Sequence, residues 1–308
     1  MAILILSSPL PAQPFAEALQ VLAPQIAVWT SIEEAVPERV EALLAWRLKP
    51  GLLPLLPRLR VLCSTGAGVD KLMVDDLPAA LPVTRIVDPE QAMQISQYVL
   101  ACTLRFTRDL PLYAAQQSRA EWRRHPVRPA GACRIGLLGF GAVGQAVARA
   151  FSPLGYPVAA WARRQRDDQD VTLFSGRDGL AALLARTDIL VNTLPLTPET
   201  HGLLSRDTLS VLPRGAYVIN VGRGEHLVEA DLQPLLDDGS LAGAALDVFE
   251  REPPPPGHWL WSHPGVLATP HIAAQASAQM VAAQCLDALQ RARDGLPQPY
   301  AVDRAAGY

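Results

Sequence analysis

The stretch Arg134-Ile135-Gly136-Leu137-Leu138-Gly139-Phe140-Gly141-Ala142-Val143-Gly144-Gln145-Ala146-Val147-Ala148 decides the fold. Ile135 to Leu138 is a short uncharged run of the kind that forms a buried strand, and Val143 to Phe151 reads as the helix that follows. Between them, Gly139, Gly141 and Gly144 carry the spacing G-x-G-x-x-G. The first glycine permits a tight turn, the second lets the backbone approach a pyrophosphate, and the third lets helix and strand pack closely. Amides at the helix N-terminus then face the phosphate charge. The spacing alone is a weak signal. Set between a strand and a helix, it predicts a dinucleotide site built on Gly139, Phe140, Gly141, Ala142, Val143 and Gly144.

Working outward, the next strand is Pro157 to Trp161, followed by Ala162-Arg163-Arg164-Gln165-Arg166. A site for NAD usually places Asp or Glu just after this strand to bind the ribose hydroxyls. Here that carboxylate is missing, and Asp167 and Asp168 come several residues late. An arginine pairs with a 2′-phosphate through a two-pronged contact, whereas a carboxylate repels it. The sequence therefore predicts NADP(H) in preference to NAD(H), with Arg163 as the first phosphate contact, Arg164 as the next, and Trp161 beside the nucleotide. Further strands are expected at Ile189–Asn192, Tyr217–Asn220, Gly243–Leu246 and Val266–Ala268. Loops after strands of a parallel sheet border the ligand crevice. That places Leu194, Pro195, Val221, Gly222, Asp247, His271 and Ala273 on the cofactor side.

Upstream, short apolar runs at Ala2–Leu6, Ile26–Trp29, Val40–Trp46 and Arg60–Ser64 alternate with a helix at Pro14–Leu22, again the pattern of a parallel α/β sheet. The last run ends in Thr65-Gly66-Ala67-Gly68-Val69-Asp70, which can present backbone amides to an anion or form a plain tight turn. From Met93 to about Ala120 the pattern predicts one long helix, with Pro111 as its first internal proline, and then an arginine-rich connection to Pro129.

The 308 residues hold 27 Lys plus Arg against 30 Asp plus Glu, a net charge of −3 that argues against a general nucleic-acid binder. With 19% charged and 49% hydrophobic residues, the chain can bury a large core, and its length suits two domains. Only Lys49 and Lys71 are lysines, so 25 of the 27 cations are arginine. Cys63, Cys102, Cys133 and Cys285 are far apart and form no CxxC pair, which argues against a zinc site and fits a reducing cytosol. No metal is expected: His201, His226, His258 and His263 lack ligand spacing and read as loop or surface residues. The apolar N-terminus lacks a basic leader and reads as a first strand, and no run is long enough to span a membrane.

Three segments fall at the ends of the late strands: Asn220-Val221-Gly222-Arg223-Gly224, Asp247-Val248-Phe249-Glu250-Arg251-Glu252-Pro253 and Thr269-Pro270-His271-Ile272-Ala273. They offer a fixed cation, a carboxylate and an imidazole. Reduction of a 2-keto acid needs that set. Arginine is a planar donor to the substrate carboxylate and carbonyl. Histidine gives a proton to the developing alkoxide, and an adjacent glutamate stabilises its protonated form. The candidate catalytic residues are Arg223, Glu252 and His271.

With these segments, the glycine motif, Gly66-Ala67-Gly68-Val69-Asp70, Leu194-Pro195-Leu196-Thr197-Pro198-Glu199-Thr200 and the ending Val302-Asp303-Arg304-Ala305-Ala306-Gly307-Tyr308, the sequence resembles the D-isomer-specific 2-hydroxyacid dehydrogenase family, most closely its glyoxylate/hydroxypyruvate reductase branch. The resemblance spans essentially the whole chain. It implies a Rossmann dinucleotide-binding domain (97–274) inserted in a flavodoxin-like substrate-binding domain (1–96 and 275–308). It also implies that Trp46 and Gly66, Ala67, Gly68 and Val69 touch substrate together with Arg223 and His271. The implied activity is NADPH-dependent reduction of glyoxylate or hydroxypyruvate by a cytoplasmic homodimer. Two other readings stay open on the sequence: preference for a different 2-keto acid such as phenylpyruvate, and a non-catalytic dinucleotide-sensing role.

Overall fold

The computed structural model describes residues 1–163, 168 and 170–304. The chain divides into two compact units, Met1–Glu90 with Gln275–Tyr308, and Gln91–Ala274.

The first unit is built on β1 (Ala2–Leu6), α1 (Gln13–Leu22), β2 (Ala27–Trp29), β3 (Val40–Ala45), β4 (Val61–Ser64) and β5 (Val83–Thr84). All strand pairs are parallel, in the order β2-β1-β3-β4-β5. This is the 2-1-3-4-5 order of flavodoxin-like sheets. β1, β3 and β4 are almost wholly buried because both faces of the sheet are covered. One face packs Ile3, Ile5, Ala42, Leu44, Val61 and Cys63 with Phe15 and Leu19 of α1 and with Val281, Cys285 and Leu289. The last three lie on a helix, Ala278–Asp294, contributed by the far end of the chain. That helix starts under a Ser277 side chain that accepts from the Met280 amide at 3.1 Å, and ends at Gly295 in the left-handed region. Glu41, at the start of β3, is buried at 3% exposure. A buried carboxylate has to be paired, and Arg60 (3.2 Å) and Arg293 (3.0 Å) both reach it, so the charge itself ties the C-terminal helix to β3.

The second unit runs α2 (Pro89–Thr107, shared at its start with the first unit), α3 (Leu110–Ser118), β6 (Ile135–Leu138), α4 (Ala142–Phe151), β7 (Val158–Trp161), β8 (Thr172–Phe174), α5 (Gly176–Leu184), β9 (Ile189–Asn192), α6 (Arg206–Leu209), β10 (Ala216–Asn220), α7 (Glu229–Asp237), β11 (Leu241–Leu246) and β12 (Val266–Ala268). The C-terminal helix of the first unit is then α8. The seven strands are parallel in the order β12-β11-β10-β9-β6-β7-β8. Counted from β6, that is the 3-2-1-4-5-6 Rossmann order with a seventh strand added, and the order reverses between β6 and β9.

The single helix expected over Met93–Ala120 is two helices. Asp109 adopts φ 52 between them, and Pro111 lies in the first turn of α3. Inside a continuous helix, proline has no amide to donate and its ring clashes with the carbonyl four residues back, here Thr107, so α2 ends there and the chain turns at Asp109. Arg119 consequently lies past the end of α3. The strands β5 (Val83-Thr84) and β8 (Thr172-Leu173-Phe174) each include a threonine and do not stand out as apolar runs. No helix among the described residues is long and apolar enough to cross a membrane.

Candidate active site

Register lines up the strand ends of the second unit. Trp161 pairs with Leu138, Leu138 with Asn192, Asn192 with Asn220, Asn220 with Leu246, and Leu246 with Ala268. At roughly 4.8 Å per strand, the row from Trp161 to Ala268 spans about 24 Å. Among the described residues, every predicted cofactor and catalytic residue of this unit lies at or just after one of these strand ends. They are therefore assembled on one edge of one sheet.

The glycine turn has three different constraints at its three positions. Gly139 sits at φ 96, where a side chain is strained. A Cβ on Gly144 would lie 2.2 Å from the Gly139 carbonyl oxygen, so the helix can approach the turn only without one. A Cβ on Gly141 would meet no protein atom within 4 Å. Gly141 leads into α4, whose first turn has no side-chain cap. Uncapped amides above an open glycine fit a dinucleotide pyrophosphate. Phe140 points its ring into the core, leaving its backbone to the turn. Thr193 closes the other side by donating to the carbonyls of Leu138 (3.0 Å) and Gly139 (3.2 Å). Trp161 donates its indole N–H to the Gly176 carbonyl at 2.9 Å. Arg163 is exposed after β7, and its charge reaches Glu199, whose carboxyl is held below the usual range by a backbone amide, by Thr197 and, least, by Arg163. Arg164 lies outside the described residues.

Beyond β9 and β10, Asn192 and Asn220 are both fully buried and bonded to each other at 2.9 Å. Asn192 also accepts from the Leu194 amide (3.2 Å), while Asn220 accepts from the Gly222 amide (3.2 Å) and donates to the Arg223 carbonyl (3.0 Å). Val221 donates its amide to the Asn192 carbonyl at 3.2 Å. Arg223 donates from Nη1 to the Gly222 carbonyl at 2.7 Å. His226, expected on a loop or surface, is instead fully buried beneath Arg223. The remaining histidines differ. His201 is exposed, while His258 and His263 pair with Glu229 and Asp237, each at 3.3 Å.

Past β11 and β12, Asp247 is 1% exposed. Its carboxylate accepts from the Thr269 hydroxyl (2.6 Å) and from the amides of Ile272 and Ala273 (2.8 Å each). The Thr269 hydroxyl hydrogen is committed to its bond with Asp247, so Tyr98, 2.7 Å away, is the donor to Thr269. Burial raises the Tyr98 phenol well above its ordinary range and keeps it a donor. This chain shapes a tight loop in which His271 adopts φ 55, unusual for a residue with a Cβ. Backbone bonds from the His271 amide to Asp247 O (2.9 Å) and Thr269 O (3.0 Å) complete it. The imidazole Nδ1 then faces both oxygens of Glu252, at 3.1 and 3.0 Å. The Phe249 amide donates to Glu252 Oε1 at 3.3 Å. His271 and Glu252 are thus brought together as a side-chain pair, with each partner about a quarter exposed (27% and 26%).

In the first unit, the Trp46 ring lies against Gly66, where an added Cβ would sit 3.2 Å from it. The Gly66 amide donates to Ser64 Oγ (3.1 Å), which donates on to the Gly68 carbonyl (3.0 Å). Ala67 is exposed and Val69 is buried in the core, which fixes the loop by one anchored side chain.

A seven-stranded Rossmann sheet, an open glycine turn and a paired His–Glu on the same edge define a dinucleotide-dependent oxidoreductase. Residues 100–273 match the family model of the D-isomer specific 2-hydroxyacid dehydrogenase NAD-binding domain, and the chain belongs to that family. It is 35% identical, over 86% of its length and 87% of the relative's, to a glyoxylate/hydroxypyruvate reductase A of Yersinia enterocolitica. A protein of the same name from Serratia proteamaculans is 39% identical over 79% of this chain and 81% of its own. Among solved structures, a D-isomer specific 2-hydroxyacid dehydrogenase from Xanthobacter autotrophicus Py2, in complex with NADPH and MES, superposes with a TM-score of 0.93 at 38% identity, covering 100% of this chain and 99% of that one. An NADPH-dependent glyoxylate/hydroxypyruvate reductase from Sinorhizobium meliloti, with NADP and sulfate, gives 0.92 at 33% identity over 100% and 99%.

Proposed function

We propose that the protein reduces small 2-keto acids with NADPH, converting glyoxylate to glycolate and hydroxypyruvate to D-glycerate. The observation that carries this reading is the His271–Glu252 pair, built on the same sheet edge as the open glycine turn. The names and bound nucleotides of the similar proteins point the same way.

In this reading the amides at the start of α4 hold the pyrophosphate, Leu194, Pro195, Val221, Gly222 and Ala273 border the nicotinamide, and Arg163, with Arg164, holds the 2′-phosphate. NADPH, when bound, supplies a hydride to the keto carbon. The chain does the rest. Arg223 holds the substrate carboxylate and polarises the carbonyl oxygen, where transition-state charge develops. Glu252 fixes the ring of His271 through Nδ1, which assigns proton donation to Nε2. Trp46 and the amides of Ala67, Gly68 and Val69 supply the contacts of the first unit to the substrate; the Gly66 amide is already committed to Ser64. The second unit is then the cofactor domain and the first the substrate domain. The working form is a homodimer paired through the second unit, which light scattering tests. Four buried, unbridged thiols fit a reducing cytoplasm.

Initial rates with NADPH and NADH, each against glyoxylate, hydroxypyruvate and phenylpyruvate, test cofactor and substrate together. Tight NADPH binding without oxidation by any keto acid refutes the enzymatic reading. A His271→Ala variant with near-normal kcat refutes the role given to that residue.

A further inference from the structure

His226 closes a three-residue turn that begins directly after Arg223, and the turn has no latitude. A Cβ on Gly224 would lie 1.8 Å from the Phe249 carbonyl carbon, so the backbone is pressed flat against the loop that leads to Glu252. This directs the imidazole inward, where it is fully buried. Its ring nitrogens serve two different loops. Nδ1 lies 3.0 Å from the Arg223 amide, which can only donate, and 2.9 Å from the Asn192 side-chain amide nitrogen. Nδ1 is therefore the acceptor, and the ring proton sits on Nε2. Nε2 donates to the Pro195 carbonyl at 3.2 Å. A buried imidazole between two donors and one acceptor is fixed in one neutral tautomer.

The consequence for Arg223 is that both of its backbone groups are held. The amide is held by His226 Nδ1, and the carbonyl by Asn220 Nδ2 at 3.0 Å. Gly222 lets Asn192 and His226 come this close to the backbone, since a Cβ there would sit 2.8 Å from Asn192 Nδ2 and 3.0 Å from His226 Nδ1. The same imidazole holds Pro195, in the loop after β9 that borders the glycine turn through Thr193.

We propose that His226 is a positioning residue that locks Arg223 through Nδ1 and the Pro195 loop through Nε2, so that substrate-holding and cofactor-bordering backbone share one rigid part. The proposal rests on Arg223 being the substrate-holding arginine. His226 touches neither substrate nor cofactor in this scheme.

Two conservative variants separate the ring's two jobs. In His226→Asn the side-chain oxygen falls where Nδ1 accepts, and the Pro195 contact is lost. In His226→Gln the longer amide reaches Pro195, and the acceptor for Arg223 is lost. Steady-state kinetics with NADPH and glyoxylate are read beside the melting temperature and the NADPH Kd. Misplacing a substrate clamp by about 1 Å costs on the order of a hundredfold. His226→Gln is accordingly expected to lower kcat/KM for glyoxylate about tenfold to a hundredfold, with NADPH Kd within about threefold of wild type. His226→Asn should recover most of that loss and instead weaken NADPH several-fold. In 15N spectra of histidine-labelled protein, His226 should show a protonated Nε2 and an unprotonated Nδ1. Adding His226→Gln to Arg223→Gln should cost little more than Arg223→Gln alone, since the first acts through the second.

The proposal is overturned if folded His226→Gln keeps wild-type kcat/KM, if both variants lose activity equally and in step with melting temperature, or if the spectra place the proton on Nδ1. Arg223→Gln distinguishes the two levels of failure. If that variant reduces glyoxylate normally, the reading of Arg223 fails and the proposal with it. If it is crippled while His226→Gln is not, only the present inference falls.

Discussion

Replacing Asp247 by Asn isolates what holds His271 in place. The carboxylate accepts from Thr269 Oγ1, Ile272 N and Ala273 N in a setting only 1% exposed. Asparagine keeps one oxygen. If that oxygen stays on Thr269 and Ile272, the new amino group faces the Ala273 amide, donor against donor. One hydrogen bond to a charged acceptor, about 1.5–3 kcal/mol, is lost, and a buried amide is left unpaired at about 1–3 kcal/mol. Meanwhile His271 at φ 55 is poised to relax, since a residue with a Cβ in the left-handed region carries about 1–2 kcal/mol of strain. A clamp weakened by about 3 kcal/mol corresponds to a factor of roughly 150 in the population of the held loop. Rearrangement of the side chain recovers part of it, so kcat for glyoxylate should fall about tenfold to a hundredfold. NADPH absorbance under saturating substrate reads this directly, with melting temperature and NADPH Kd as controls. Thr269→Val, which removes one donor and also strands Tyr98, should give a smaller loss in the same direction. A folded Asp247→Asn enzyme whose kcat stays within about threefold of wild type would refute the idea that this network sets the His271 loop.

Other expectations follow from the same geometry. Gly141→Ala should fold with an unchanged melting temperature but bind NADPH weakly, because its methyl enters open space above the turn, whereas Gly144→Ala should lose about 2–4 kcal/mol of stability because its methyl meets the Gly139 carbonyl; thermal melts and fluorescence titration separate the two. Arg163→Ala should raise KM for NADPH about tenfold and leave KM for NADH nearly unchanged, as loss of a charged phosphate contact requires. Asp188 joins the starts of β6 and β9 through Arg134 (Nε to Oδ2 2.8 Å, Nη2 to Oδ1 3.0 Å). Burial pushes its carboxyl up, but the Arg134 guanidinium and amide outweigh that and the net direction is down. A carboxyl lowered by folding contributes stability above its unfolded value and loses it as pH falls through the folded one. Asp188→Asn should therefore cost about 1 kcal/mol at neutral pH, discounted for the exposure of Arg134, and less and less below about pH 4. Denaturation at pH 7 and pH 3 checks it.

The second sheet was legible because its strands are short apolar runs punctuated by glycine, proline and asparagine, and the runs Ile135–Leu138, Ile189–Asn192 and Val266–Ala268 coincide with strands residue for residue. What escaped has physical reasons. β5 pairs over only two residues, and β8 opens on the exposed, polar Thr172, so neither stands out as an apolar run. The helix break shows as Pro111, but the residue that bends is Asp109, whose conformation depends on its neighbours. His226 was hidden because a lone imidazole beside Glu225 looks like a loop residue. The signal available was elsewhere: Asn192 and Asn220 end strands that are otherwise wholly apolar, and two buried amides at neighbouring strand ends demand polar company. His271 and Glu252 were visible as residue types, whereas their contact depends on the loop that Asp247 shapes.

The first sheet has a consequence for how the chain is made. Its covering helix α8 arrives only after the whole second unit has been synthesised, yet Val281, Cys285 and Leu289 fill the same layer as Phe15 and Leu19. Until then the nascent N-terminal sheet has that apolar layer covered by α1 alone, and its buried Glu41 lacks the Arg293 partner. The second unit therefore has time to form while the first is still waiting for α8. That interval is when chaperones would find the most to hold.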